Sequence, residues 1–301
     1  MNPFQFEKIA TQPLLLPALV KKNSEATVLR LDLLHPIISG NKWYKLRYYL
    51  QEAVAQKKKR VITFGGAWSN HILATAAACR QLGLDSAALI RGEQPAALSA
   101  TLQQAASLGM QFHFVSREQY REKRIPETLL TPEDYIISEG GAGAFGVRGA
   151  GTILDTIDKS NYTHIICAAG TGTTLAGIIN SALPDCQVIG IPVLSDLPTI
   201  ESTIHSYVNQ PAARWQLLSG FAWGGYAKHT AALLSFMNEF YIQTGIPTDI
   251  VYTAKLFYAC SHLIENDFFE KESRLLIIHS GGLQGNRSLP ENTLCFGQVF
   301  Q

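Results

Sequence analysis

From residue 60 onward the chain alternates between short runs rich in β-branched residues and longer segments with helical periodicity. Eight runs are predicted to be strands: 60–64, 86–90, 111–115, 135–138, 164–168, 187–193, 216–219 and 274–279. Seven segments between them are predicted to be helices: 70–82, 96–108, 117–129, 147–158, 173–183, 228–243 and 253–266. Such alternation is typical of parallel sheets that are covered by helices on both faces. The sequence therefore predicts an α/β fold with mostly parallel sheets.

Glycine turns follow four of these predicted strands: Gly65-Gly66, Gly140-Gly141, Gly170-Thr171-Gly172 and Gly281-Gly282. In open sheets of this kind, ligands bind at the carboxyl ends of the strands. One such turn would be explained by packing alone, because α/β proteins need glycine at these positions in any case. Four turns at the same end of successive strands predict one shared cleft.

Length and composition limit the classes of function. A chain of 301 residues allows one large or two mid-sized domains, and we predict one domain over 45–150 and a larger one over 1–44 plus 151–301. The net charge of +1 gives no electrostatic reason to expect a nucleic acid or a membrane surface as partner. No segment approaches the ~20 apolar residues of a membrane span. The five cysteines are scattered without a CxxC pair, so we expect a reducing cytoplasm and no structural metal.

Lys42 lies between the turn sequence Ser39-Gly40-Asn41 and an aromatic-rich helical run over 43–54. Junctions between loops and helices expose a reactive side chain and fix its position. A lysine amine becomes a nucleophile when desolvation or nearby charge lowers its pKa. Lys42 is therefore a candidate nucleophile, although a solvated surface lysine is the simpler interpretation of this stretch alone.

The segment from Cys167 to Gly177 is predicted to form a strand, a tight turn and the start of a helix. Small residues in the turn let backbone N–H groups face a ligand, and the helix dipole and the threonine hydroxyls favour an anion. This pattern predicts a phosphate site over Gly170–Thr174. It lacks the lysine of a Walker A loop, and glycines that merely turn the chain remain an alternative.

Two further glycine-rich stretches leave alternatives open. Gly141 to Gly146 satisfies GxGxxG, but a dinucleotide site needs an acidic residue about 20 positions later, and Asp155 and Asp158 lie closer. The turn before Ser69-Asn70-His71 brings three polar side chains beside backbone donors, which suits a carboxylate. The simpler alternatives are a helix N-cap at Ser69 or Asn70 and a structural histidine.

Five ordered motifs resemble the pyridoxal-phosphate (PLP) enzymes of the tryptophan synthase β-like fold, and among them the 1-aminocyclopropane-1-carboxylate (ACC) deaminase and D-cysteine desulfhydrase family. The motifs are Gly40-Asn41-Lys42 with Lys45-Leu46, Ser69-Asn70-His71, Gly170-Thr171-Gly172-Thr173, Val251-Tyr252-Thr253 and His279-Ser280-Gly281-Gly282. No single motif is decisive, whereas the ordered set is specific. The resemblance implies two three-layer αβα domains with mostly parallel sheets, a PLP cleft between them, and a homodimer.

The resemblance also implies roles for individual residues. Lys42 would bind PLP as an internal aldimine and later move the Cα proton of the substrate, and Asn70 would donate to the pyridine 3-oxygen. The implied catalytic residues are Lys42, Ser69, Tyr226 and Tyr252. The implied cofactor-binding residues are Lys42, Asn70, Gly170, Thr171, Gly172, Thr173, Thr174 and Thr253. The implied substrate-binding residues are Ser69, Asn70, His71 and Tyr226.

Thr253 decides which activity the resemblance implies. ACC deaminases carry glutamate at the corresponding place, opposite the pyridine nitrogen, and a neutral hydroxyl cannot raise the pKa of that nitrogen comparably. We therefore expect α,β-elimination of D-cysteine or a similar β-substituted amino acid, giving a keto acid, ammonia and the leaving group. ACC deamination is the alternative within the family. A nucleotide-dependent oxidoreductase based on Gly141–Gly146 and a non-catalytic PLP-binding protein are alternatives from other classes.

Overall fold

The computed structural model describes residues 9–194, 197–210 and 213–297. Its contacts divide the described chain into two compact units. Unit 1 comprises residues 42–149, and unit 2 comprises residues 9–41 and 150–297. In these described ranges, no helix is both long enough and apolar enough to cross a membrane.

The strands are the main elements of both units. In chain order they are β1 (Thr11–Pro13), β2 (Glu25–Arg30), β3 (Arg60–Gly65), β4 (Asp85–Arg91), β5 (Met110–Val115), β6 (Asp134–Ile136), β7 (His164–Ala169), β8 (Gln187–Pro192), β9 (Arg214–Leu217) and β10 (Arg274–His279). The longer strands are buried almost throughout, as the continuous apolar runs of parallel strands require.

The α-helices alternate with these strands over most of the chain. They are α1 (Pro17–Lys21), α2 (Asn41–Ala55), α3 (Asn70–Leu82), α4 (Ala100–Ser107), α5 (Arg117–Glu122), α6 (Ala144–Gly151), α7 (Thr173–Ser181), α8 (Leu197–Tyr207), α9 (Ala231–Thr244) and α10 (Thr253–Glu265). Short 3₁₀ turns complete the connections, among them Thr152–Thr156 directly after α6.

Unit 1 contains a four-stranded sheet in the order β5-β4-β3-β6, and all of its strand pairs are parallel. Unit 2 contains a six-stranded sheet in the order β1-β2-β10-β7-β8-β9, in which the β1–β2 pair alone is antiparallel. Branched side chains of β7, β8 and β10 pack with α10 in a core of fully buried residues that includes Ile166, Ile189, Ile277 and Leu256. The predicted α/β class with mostly parallel sheets is confirmed.

Several predicted boundaries are wrong. The helix predicted over 117–129 ends at Glu122, because Lys123 adopts a left-handed conformation (φ 53°) and Pro126 cannot continue a helix. The helix predicted over 147–158 is α6 followed by the 3₁₀ turn, and the one predicted over 96–108 begins only at Ala100. Elements β1, β2, α1 and α8 were not predicted.

Candidate active site

In unit 2, the turn that leads into α2 packs backbone to backbone against the turn that follows β10. Gly40 has a φ of 67°, and a Cβ placed on it would lie 1.8 Å from the carbonyl oxygen of Ser280. The amide of Asn41 donates to that same oxygen at 3.1 Å. Only glycine fits this approach. The contact fixes Asn41, the first residue of α2 and the chain neighbour of Lys42.

The side chain of Asn41 reaches the predicted phosphate loop. Its Nδ2 donates to Oγ1 of Thr174 at 3.0 Å, within unit 2. The loop itself follows β7, and Gly172, with a φ of 83°, is the N-cap residue of α7. The Thr171 and Thr173 hydroxyls lie 3.2 Å apart. The turn thus presents hydroxyl groups and the N–H groups of a nine-residue helix, an arrangement that favours an anion.

Tyr252 packs against the same loop. A Cβ placed on Gly170 would lie 3.1 Å from Cε1 of Tyr252 and 3.7 Å from Cδ1 of Leu194. The absence of a side chain at Gly170 therefore lets the Tyr252 ring approach the loop backbone. The structure brings together four of the predicted residues or their neighbours in unit 2: Asn41, Gly170, Thr174 and Tyr252.

Thr253 begins α10 and is fully buried. Its hydroxyl donates to Oδ1 of Asp249 at 2.8 Å and accepts from the Asp249 amide at 2.7 Å. The Asp249 carboxylate also accepts from the amides of Val251, Tyr252 and Thr253 at 2.8–3.1 Å. Burial raises the pKa of Asp249, and these hydrogen bonds oppose that rise. The Thr253 hydroxyl thus donates its proton to Asp249, and one lone pair of its oxygen accepts from the Asp249 amide.

In unit 1, Lys42 and Lys45 lie three residues apart on α2, where side chains share one face of a helix. Lys42 is half-buried and Lys45 is buried. Burial and then the charge of Lys42 hold the pKa of Lys45 well below its usual range. The first two turns of α2 therefore carry two amines whose charges disfavour each other.

His71 lies in the same electrostatic environment. Its Nε2 is 2.8 Å from the Thr63 hydroxyl, which donates to the Ile137 carbonyl at 2.9 Å. Since the single hydroxyl proton is used in this way, Nε2 donates and Nδ1 carries the lone pair. Nδ1 has no hydrogen-bond partner among the residues that the structure describes. Burial first, and then the charges of Lys45 and Lys42, hold the pKa of His71 well below its usual range, so His71 is neutral.

Ser69 and Asn70 occupy the start of α3, and both are half-buried. Ser69 is the N-cap residue by its backbone conformation, but its side chain makes no capping hydrogen bond. The simpler interpretation of Ser69 as a side-chain N-cap is therefore wrong, because its hydroxyl does not accept from the amides in the first turn of α3. A Cβ placed on Gly65, just before this turn, would lie 2.5 Å from Cγ1 of Ile72, so glycine lets α3 approach β3 closely.

The remaining predicted regions have separate surroundings. Tyr226 is exposed and lies in the loop between β9 and α9. The Gly141–Gly146 stretch packs against α2: a Cβ on Gly141 would lie 3.1 Å from Cβ of Lys45, and one on Gly143 would lie 2.4 Å from the Tyr49 hydroxyl. Close packing on α2 accounts for these glycines without a dinucleotide.

Sequence reasoning missed Asp249 and the side chain of Asn41. The Asp249 carboxylate lies three residues before the N-cap residue Tyr252 and accepts from the amides of Val251, Tyr252 and Thr253. The contact of Asn41 with Thr174 joins residues 133 positions apart and carries no local signal.

Comparisons with known proteins show which family this chain belongs to. A model of the family described as "Pyridoxal-phosphate dependent enzyme" matches residues 6–281. A Thermotoga maritima protein, provisionally named as a 1-aminocyclopropane-1-carboxylate deaminase, is 32% identical over 288 residues that cover 86% of this chain and 88% of that protein. The Arabidopsis thaliana bifunctional D-cysteine desulfhydrase/1-aminocyclopropane-1-carboxylate deaminase is 28% identical and covers 82% of this chain and 70% of that protein.

A solved structure of a related protein has the same fold as this chain. A crystal structure of an ACC deaminase homologue superposes with a TM-score of 0.75 at 26% identity, covering 93% of this chain and 90% of that one. This structural match confirms the predicted tryptophan synthase β-like fold. The family description names pyridoxal phosphate as the cofactor, which differs from the nucleotide of the oxidoreductase alternative. The chain belongs to the family of pyridoxal-phosphate dependent enzymes.

Proposed function

We propose that this enzyme is a lyase that eliminates the β-substituent of a small amino acid, with D-cysteine or a similar β-substituted amino acid as substrate. The products are a keto acid, ammonia and the leaving group. The hydrogen bond from Asn41 to Thr174 carries this proposal, because it attaches the residue before Lys42 to the loop proposed for the cofactor phosphate. Relatives named D-cysteine desulfhydrase, such as that of Serratia proteamaculans at 23% identity, support the substrate class.

The residues present fit PLP. The turn Gly170–Thr174 offers hydroxyls and the N-terminus of α7 to a phosphate, and its glycines keep side chains out of that space. Lys42 would hold the cofactor covalently, and the Thr253 oxygen would face its pyridine nitrogen. Bound PLP withdraws electrons from the Cα of an attached amino acid, which makes loss of the Cα proton and of a β-substituent accessible.

Lys42 would move the Cα proton of the substrate. An amine takes up a proton only when it is neutral, and the positive charge of a second lysine disfavours protonation. Burial and then the charge of Lys42 hold the pKa of Lys45 well below its usual range, so this buried amine gives up its proton readily. We propose that this pair keeps a neutral amine in the first two turns of α2 near neutral pH.

The substrate carboxylate would bind at the start of α3. Ser69 offers a hydroxyl that does not cap the helix, and Asn70 offers an amide beside it. His71 would support Ser69 from the interior of the protein, because its side chain is neutral and buried. Tyr226 and Tyr252 would line the side of the cofactor where the substrate binds, with Tyr252 held by its packing at Gly170.

ACC deaminase is the second candidate, because the Thermotoga and Arabidopsis relatives carry that activity in their names. Thr253 argues against it. Its hydroxyl proton is donated to Asp249, so Thr253 would offer an uncharged oxygen to the pyridine nitrogen of bound PLP. An uncharged acceptor stabilises a protonated pyridine less than a carboxylate does. This suits a substrate that already carries a good leaving group.

A substrate screen tests the proposal directly. The purified holoenzyme is incubated with D-cysteine, L-cysteine, β-chloro-D-alanine, β-chloro-L-alanine and ACC, and sulfide or chloride, ammonia and keto acid are measured together. We expect equimolar leaving group, ammonia and keto acid from a β-substituted amino acid. Keto acid and ammonia from ACC at a higher rate than from any β-substituted amino acid would support the second candidate instead.

We further propose that the protein is a cytoplasmic homodimer and that each chain has two domains, one over 45–150 and one formed by the remainder of the chain.

A further inference from the structure

Lys255 is the largest fully buried side chain of the described residues and lies in the first turn of α10. Its ammonium group donates hydrogen bonds to three backbone carbonyls: Val193 at 3.1 Å, Ala222 at 2.8 Å and Gly225 at 2.6 Å. An ammonium group has three donors and no acceptor, so these carbonyls satisfy it completely. The side chain is therefore built into the structure as an internal cation.

Carbonyl dipoles, rather than a bonded carboxylate, hold this cation. No carboxylate oxygen of the described residues lies within 4.0 Å of Lys255 Nζ. Burial lowers the pKa of Lys255 to about 8, and the charge of Asp249 opposes that change. A buried lysine is costly unless its donors are all used. The three carbonyl partners therefore offset the cost of burying this ammonium group.

The three carbonyls belong to two segments of unit 2 that are distant in sequence. Val193 directly follows β8. Ala222 and Gly225 are the two ends of one tight turn, in which the Gly225 amide donates to the Ala222 carbonyl at 2.9 Å. The turn contains left-handed backbone at Trp223 (φ 50°) and Gly224 (φ 85°). Tyr226 is the residue that follows this turn.

The turn also rests on α10 through aromatic contacts. The Trp223 ring lies 4.8 Å from the Tyr258 ring in an edge-to-face arrangement, and Phe221 lies 6.5 Å from Tyr258. Tyr258 is one helical turn beyond Lys255. Aromatic packing thus places one side of the turn on the helix, while Lys255 fixes its two backbone ends.

We propose that Lys255 is a positioning residue that holds the turn Ala222–Gly225, and through it Tyr226, in the conformation that binds the amino-acid substrate. This inference rests on the proposed role of Tyr226. Three carbonyl oxygens that point toward one place favour the binding of a compact cation there. A side chain of equal length without charge would leave them unpaired, whereas a small diffusible cation could replace the missing ammonium group.

The test compares Lys255→Met with the matched control Lys22→Met in the holoenzyme. Lys22 also donates to a backbone carbonyl, that of Phe269 at 2.7 Å, but Phe269 lies beyond the C-terminal end of α10, whereas Lys255 lies in its first turn. The contacts of Lys22 with Phe269 and Asp267 involve none of the residues proposed for catalysis. For Lys255→Met we expect KM for the β-substituted substrate to rise about tenfold or more, with kcat changed far less. Lys22→Met should leave both constants unchanged.

Two readouts separate positioning from general destabilisation. Ammonium or methylammonium chloride should lower the KM of Lys255→Met in a saturable manner, and tetramethylammonium chloride at equal ionic strength, which has no N–H donor, should not. Hydrogen–deuterium exchange of peptide 219–230, measured with and without PLP, should be faster in Lys255→Met than in the native protein. In a Tyr226→Ala background, Lys255→Met should add no further increase in KM, because the two changes act on one contact.

An unchanged KM together with unchanged exchange of peptide 219–230 would overturn the inference. A KM increase that persists in the Tyr226→Ala background would overturn it as well. If Lys255→Met does not fold, Lys255→Gln, which retains two donors, is measured in the same way and should show a smaller increase in the same direction. Failure of the native enzyme to bind PLP or to turn over any substrate would instead refute the proposed function.

Discussion

Gly40→Ala tests the attachment of the α2 start to the turn after β10. The new Cβ would lie 1.8 Å from the Ser280 oxygen, and real contacts of this kind do not fall below 3.0 Å, so the two backbones must separate by at least the difference, 1.2 Å. That movement breaks the 3.1 Å hydrogen bond from the Asn41 amide to Ser280. The cost combines about 1–2 kcal/mol for left-handed alanine, about 1 kcal/mol for the lost bond and roughly 1–3 kcal/mol for overpacking.

Gly83→Ala is the matched control. Gly83 ends α3 with a φ of 70°, nearly that of Gly40, but a Cβ placed on it meets nothing within 4 Å. It should cost only about 1–2 kcal/mol. Urea titrations of both variants give the free energies of unfolding, and PLP titrations of the apo proteins give the affinities. We expect Gly40→Ala to lose about 3 kcal/mol more and to bind PLP more weakly, whereas equal losses in the two variants would refute the reasoning.

Three further predictions concern single side chains. Asn41→Ala removes the bond to Thr174 and should weaken PLP binding about fivefold, measured by fluorescence titration, and unaltered affinity would contradict the proposed phosphate loop. Thr253→Glu should lower D-cysteine elimination relative to ACC turnover in paired assays, and an unchanged ratio would contradict the pyridine-nitrogen argument. Between pH 8 and 10.5 the unfolded chain holds the Lys255 proton that the folded state has lost. Over this range the free energy of unfolding of the native protein, measured in urea, should therefore rise by about 3 kcal/mol relative to that of Lys255→Met. The same pH dependence in both proteins would contradict this prediction.

The strands were predictable because their signal is local. The runs that became β3, β7 and β10 are continuous apolar segments, and their predicted bounds agree with the structure to within one residue. β1 was missed because three residues that include Pro13 have almost no strand pattern of their own, and pairing with β2 supplies their conformation. The end of α5 depends on a left-handed lysine, which sequence rarely reveals.

The candidate site also contains residues that could be recognised from the sequence and residues that could not. The glycine turns and the threonines after β7 could be recognised because ligand-binding turns need small residues and donors in consecutive positions. Lys255 could not be recognised, because it resembles any helical lysine until its three carbonyl partners from distant segments are known. The neutral state of His71 likewise depends on its burial and on two lysines that fold beside it, and its tautomer depends on the Thr63 hydroxyl.

The most direct test of the central claim is to locate the covalent bond between PLP and the protein. The holoenzyme is reduced with borohydride and digested, and the peptides are analysed by mass spectrometry, with Lys42→Ala as control. The account predicts that the phosphopyridoxyl group is found on Lys42 alone and that Lys42→Ala loses the visible absorbance of the bound cofactor. A phosphopyridoxyl group on Lys45 or Lys255, or unchanged absorbance in Lys42→Ala, would contradict it.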